Sequence, residues 1–212
     1  MNFPIFDFQM LPLSSIIGLS GISLLLAAIL LRLLLLVKVS HQSSYFFASL
    51  LFVISFMPIS GDSINLYVRG LINALSITSL ILLSYYFSTA TNTEKSQSST
   101  PLLYSIIVLC GLFFYPTALG YGTIDPYAWG FINTDHGRLI PTLFIIVLTM
   151  LMWLALIKNN LLLLVCLTSA TLAYQLGVLE SHNLWDYLFD PGLFIYALLS
   201  LGRLTVNKYS AK

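Results

Sequence analysis

Charge is what this chain has least of. Only 8% of its 212 residues are charged, and nine bases against eight acids leave a net charge of +1. An ordinary soluble domain is about a quarter charged. With 58% hydrophobic residues, too few polar groups remain to cover a water-facing surface. No basic face is concentrated enough to serve as a nucleic-acid footprint, so no nucleic-acid partner is expected. Cysteine is scarce as well. Cys110 and Cys166 lie in the apolar runs IIVLCGLFF and LLLVCLTSA. There they read as small buried hydrophobes, with no spacing that supports a disulfide or a metal site. The start, MNFPIFDFQMLP, has no basic segment, and the apolar run behind it meets no small-residue cleavage site. No cleavable signal is expected, and the first apolar segment should stay as a membrane helix.

What the chain does have is long apolar runs. A membrane helix needs about 20 apolar residues, and seven segments qualify: 12–37, 44–60, 63–88, 102–119, 140–157, 161–179 and 184–204. The expected fold is all-α, a single polytopic integral membrane helical bundle of about seven transmembrane helices. The fifth and sixth spans are separated only by Lys158–Asn159–Asn160, which predicts a tight helical hairpin.

The bases orient the bundle. With the N-terminus outside and the C-terminus cytoplasmic, Lys38, Lys95, Lys158, Arg203, Lys208 and Lys212 fall inside. Arg32 can snorkel to that side. Only Arg69 and Arg138 fall toward the outside, which is the positive-inside pattern. The acids sort the other way: Asp7, Asp62, Asp125, Asp135, Glu180, Asp186 and Asp190 lie outward, and only Glu94 inward. The functional face is therefore expected to be the outer one.

Three segments populate that face. In SGDSINLYVRG, Asp62 stands where the third helix should begin, as a helix cap would. Arg69 lies two turns deeper, and a guanidinium at that depth needs a partner or water. Asn65 and Asn73 share its polar stripe. In GYGTIDPYAWGFINTDHGR, Asp125–Pro126 is a helix-start signal. It predicts a short surface helix over 126–131, with Tyr127 and Trp129 as interfacial anchors. Asp135, His136 and Arg138 follow. In GVLESHNLWDYLFDPGLF, Glu180 and His182 precede a second Asp–Pro pair, Asp190–Pro191, and the last span starts either near Asn183 or at Pro191. Trp185 and Tyr187 read as further anchors.

No HExxH or other ligand spacing occurs, so neither a metal nor another cofactor is expected. GLSG, Gly18 to Gly21, reads as a small-residue run for close helix packing rather than as a nucleophile motif. The expected function is a small multi-pass accessory subunit of a bacterial inner membrane. Its polar, aromatic outer face would bind membrane lipids through their headgroups, or a second envelope membrane protein. Arg69, Arg138, Asp62 and Asp186 are the candidate headgroup-binding residues. The alternative is a membrane-embedded hydrolase or transferase on a lipid-linked phosphate. There the arginines would clamp phosphate oxygens, and His136, His182, Asp135 and Glu180 are the candidates for proton transfer. A lipid-flipping or transport component is a weaker third reading.

Overall fold

The computed structural model describes residues 12–59, 61–90, 100–132 and 139–210. It is mainly helical: α1 (Leu13–Leu36), α2 (His41–Ile54), α3 (Ile64–Ile72), α4 (Ile77–Thr89), α5 (Thr100–Ala118), α6 (Leu139–Ile157), α7 (Leu161–Gln175), α8 (Leu184–Leu188) and α9 (Pro191–Ser210). A two-residue hairpin, β1 (Pro58–Ile59) with β2 (Asp62–Ser63), joins α2 to α3. Two helices, Leu13–Leu36 and Pro101–Ala118, are long and apolar enough to cross a membrane. Ile77–Thr89, Pro141–Ile157, Leu161–Gln175 and Pro191–Leu204 are apolar but shorter. The expectation of about seven helices of crossing length is thus met, among the described residues, by two.

Two of the expected spans are divided. Segment 63–88 is α3 and α4, separated at 73–76. Asn73 takes φ 65°, ψ −172°, and its Oδ1 accepts a hydrogen bond from the Ala74 amide at 2.8 Å. A short polar side chain that bonds its own backbone competes with the helical ladder. Ser76 then starts α4, its hydroxyl accepting from the Ser79 amide at 3.1 Å. Segment 184–204 is likewise α8 and α9, and the last long helix begins at Pro191. Asp190 Oδ1 accepts from the Leu193 amide at 2.9 Å, which is the N-cap bond the Asp–Pro pair predicts.

Helix ends are closed by local chemistry. After α1, Lys38 has φ 62°, the Lys38 amide donates to Leu35 O, and the Val39 amide to Leu34 O. The same double closure follows α5 at Gly120 (φ 91°) and α6 at Asn159 (φ 49°). This is the left-handed stop in which glycine and asparagine are the least strained residues. Asn160 next caps α7, accepting from the Leu163 amide at 3.1 Å. So the Lys158–Asn160 hairpin works because each asparagine suits its position. Asn160→Ala is expected to cost about 1 kcal/mol, read as a lower unfolding midpoint in mixed micelles.

The chain folds into two compact units. One holds the described residues up to Ala74 together with Leu176–Glu180. In it α1 packs on α2 and on α3. Ile22, Ala27, Leu31 and Ala48 are buried, and small residues such as Ala27 and Ala48 let helices approach closely. A buried polar network crosses this unit. Asn65 is wholly buried; its Nδ2 donates to Ser23 Oγ at 3.1 Å, and its Oδ1 accepts from Ser63 Oγ. Ser55 Oγ donates to Ser23 Oγ at 2.7 Å. The other unit holds Leu75–Gln175 and the described residues from Ser181 on. Here α7 is central, packing on α4, α5, α6 and α8, while α9 packs on α5.

Candidate functional site

Arg69 sits in the last turn of α3, where a cation is favoured by the helix dipole. Its Nη2 lies 2.8 Å from Glu180 Oε1. The same oxygen accepts from Ser15 Oγ of α1 at 2.7 Å. Gly18 makes room for the guanidinium: a Cβ there would lie 3.2 Å from Arg69 Cζ. The small-residue run GLSG therefore seats a charge as well as helices. The Arg69 side chain is 16% exposed and that of Glu180 53%. Hydrogen bonds from Arg69 first, then from Ser15, hold the Glu180 carboxyl below its ordinary pKa. A depressed carboxyl contributes stability above its unfolded pKa and loses it as pH falls through the folded value. With Glu180 half in solvent, the contribution is no more than about 1 kcal/mol. Thermal midpoints should therefore be nearly flat from pH 7 to about pH 5 and fall below about pH 4, and Glu180→Gln should remove this component of the fall.

Other candidate residues of the outer segments lie elsewhere. Asp62 is exposed in β2, and the α3 cap position belongs to Ser63 without a side-chain cap bond. Asp62 is thus neither cap nor partner of Arg69 in the described contacts. Asn65 does turn inward, whereas Asn73 is exposed. Asp135, His136 and Arg138 lie outside the described residues.

The second cluster belongs to the other unit. Asp125 Oδ1 accepts from the Tyr127 and Ala128 amides at 3.0 and 3.4 Å. The predicted surface helix is accordingly real but short, a single 3-10 turn over Tyr127–Gly130. It is clipped to the segment before α9 by several bonds. Tyr127 Oη donates to Asp186 Oδ2 at 3.0 Å, and Ser181 Oγ donates to the same oxygen. Asn183 Nδ2 donates to Tyr127 O at 2.8 Å, and Trp185 Nε1 to Pro126 O at 2.8 Å. Desolvation, then the Asp186 charge, raises the Tyr127 phenol pKa.

This clip changes the role of the aromatic residues. Trp185 is 8% exposed and Tyr187 not at all. Trp185 stacks with Phe144 at 4.5 Å and Phe114 at 5.1 Å. They are core aromatics of the unit, not anchors set toward headgroups. Trp129 lies near Phe113, ring centres 5.8 Å apart. His182 is exposed and makes no hydrogen bond in the described structure. Among the described residues no group of three or more His, Cys, Asp and Glu is placed to hold a metal.

Sequence reasoning missed two features. Asp190 does more than start α9: its Oδ2 accepts from the Ser76 amide (3.0 Å), Ser76 Oγ (2.8 Å) and Ser79 Oγ (2.5 Å). The Ser-x-x-Ser spacing at the start of α4 was its only signal. The other is a cavity of about 320 Å³ inside this unit. Its wall is almost wholly apolar and includes Cys110, Phe144, Cys166, Trp185 and Phe189, with Thr78 from α4. No sequence pattern marks it, because the same side chains would face lipid or core.

No protein-family model matches the chain, and no curated protein or solved structure resembles it.

Proposed function

We propose that this chain is a non-catalytic accessory protein of a bacterial inner membrane. It threads the bilayer with its seven apolar segments, N-terminus outside, the divided segments 63–88 and 184–204 each counting as one passage. Its polar, aromatic-rich outer edge docks a phospholipid headgroup or a second membrane protein of the envelope.

One observation carries the accessory role. The carboxylates Glu180, Asp186 and Asp190 of that edge are engaged in holding segment to segment, by Arg69 and Ser15, by Tyr127 and Ser181, and by Ser76 and Ser79. The donors converge on Glu180 Oε1, Asp186 Oδ2 and both oxygens of Asp190, so each carboxylate ties one segment to another, an architectural use that favours the accessory reading over that of a base poised toward a substrate. The sorting of the bases supports the orientation: Lys38, Lys95, Lys158, Arg203, Lys208 and Lys212 share one side, and lysines and arginines in excess mark the cytoplasmic side.

The test is purification in mild detergent followed by native mass spectrometry and a turnover assay. Retention of a stoichiometric membrane protein or phospholipid, with no release of phosphate from lipid-linked phosphates, is the expected result. Turnover by the purified protein that is lost in His182→Ala would sink the accessory reading.

A further inference from the structure

The cavity beside Thr78 has the makings of a lipid-chain site. It is about 320 Å³, roughly twice an engineered apolar cavity that stays dry and takes up benzene. It lies in a gap between helices. α5 and α6 both pack on α7 but, among the described residues, make no extensive packing with each other. Leu143 and Val147 of α6, each 52% exposed, stand at the cavity wall, so the gap opens sideways, the direction from which a lipid would enter.

Thr78 supplies the one hydroxyl in the lining. It is 2% exposed, and its hydroxyl is the buried side-chain polar atom without a hydrogen-bond partner among the described residues. The reason is positional. Helical serines and threonines here fold back on the carbonyl four residues earlier, as Ser84, Thr149 and Thr171 do. Thr78 stands in the first turn of α4, and the residues four and three before it precede the helix. An unmade hydrogen bond in an apolar surround is costly unless something else completes it. Threonine populates two χ1 rotamers in helices, so turning the hydroxyl into the cavity breaks no existing bond.

We propose, resting on the membrane reading above, that this cavity takes one ester-linked acyl chain of a membrane phospholipid, with Thr78 donating to the ester carbonyl. The lining decides the class. It contains no Lys, Arg or His, so a free fatty acid would bury an unpaired carboxylate. A hydrocarbon tail without a carbonyl would leave Thr78 unpartnered. An ester oxygen needs one neutral donor, and Thr78 carries the one hydroxyl among the lining residues.

The chain has three tryptophans, and they make the test. Trp185 lines the cavity and is nearly inaccessible from outside, while Trp153 is 66% exposed on α6. Variants keeping only Trp185 (Trp129→Phe, Trp153→Phe) or only Trp153 (Trp129→Phe, Trp185→Phe) are placed in phosphatidylcholine vesicles with dibromostearoyl chains, which quench tryptophan on contact. Both tryptophans are expected to be quenched. Unbrominated diester phosphatidylcholine should compete for the Trp185 signal roughly fivefold better than its diether analogue, and Thr78→Val should erase that preference. Leu167→Phe, which fills the cavity, should restore Trp185 emission.

Quenching of Trp153 without Trp185 overturns the cavity proposal and leaves the membrane reading standing. No quenching of Trp153 overturns both. An ester preference unchanged by Thr78→Val overturns the role of Thr78 whether or not the filled variant folds. Stronger quenching by free dibromostearic acid than by the phospholipid at neutral pH overturns the choice of an ester.

Discussion

Asp190→Ala is expected to be the most damaging single truncation outside the apolar core, costing about 4 kcal/mol. Its Oδ2 accepts from the Ser76 amide and from the hydroxyls of Ser76 and Ser79, and its Oδ1 accepts from the Leu193 amide. The two hydroxyls can re-pair with each other, since their oxygens are already 3.1 Å apart. The Ser76 and Leu193 amides have no such recourse, and an orphaned donor costs about 1–3 kcal/mol when buried. Asp190→Asn separates charge from geometry. Its amide has one acceptor oxygen, so either the serine side or the Leu193 amide must face an NH₂ group. It is expected to recover about half of the loss. The measurement is the unfolding midpoint in mixed micelles, with hydrogen exchange at Ser76 and Leu193 to localise the effect. Equal midpoints for wild type and Asp190→Ala would show that these bonds carry no net stability.

Gly130→Ala should follow at about 3 kcal/mol. A Cβ on Gly130 would run into Asn183 Oδ1 and come within 2.7 Å of Trp185 Cδ1. Asn183 cannot step aside cheaply. It is fully buried, its Nδ2 donates to Tyr127 O, and its Oδ1 accepts from the Trp185 amide. Displacing it unpairs both backbone groups and loosens the indole that shapes one wall of the cavity. Gly202→Ala is the control with the opposite sign. Nothing lies within 4 Å of a Cβ at that position in α9, and alanine in a helix gains about 0.5–1 kcal/mol over glycine. Near-ultraviolet circular dichroism should fall for Gly130→Ala and stay unchanged for Gly202→Ala.

Helix content was legible in the sequence because long apolar runs admit few other structures. The Asp–Pro starts at Asp125 and Asp190 and the Lys158–Asn160 hairpin were legible because each rests on a bond between near neighbours. The break at 73–76 was not, since Asn73 departs from the helix through its own side-chain bond inside a run apolar enough to read as one span. That Arg69 would have a partner followed from the need of a deep guanidinium for one; which carboxylate it would be did not, because Glu180 lies far along the chain from it. Trp185 and Tyr187 were misread as anchors because the same rings suit a lipid interface and a packed core; only the clip to Pro126 and Tyr127 separates the two. The serine partners of Asp190 lay beyond reach, 114 positions back in the chain for Ser76.

That separation also has a consequence for biosynthesis. At about 5–20 residues per second, the ribosome needs roughly 6–23 s after making Ser76 to produce the carboxylate that receives its amide. Through that interval α4 already exists while its first turn waits for an acceptor that only a later segment brings. A chain arrested before Asp190 should therefore hold α4 in an unfinished state, recognisable by rapid exchange at the Ser76 amide and by prolonged crosslinking to the membrane insertion machinery. The order of synthesis makes α9 the element that completes a helix begun long before it.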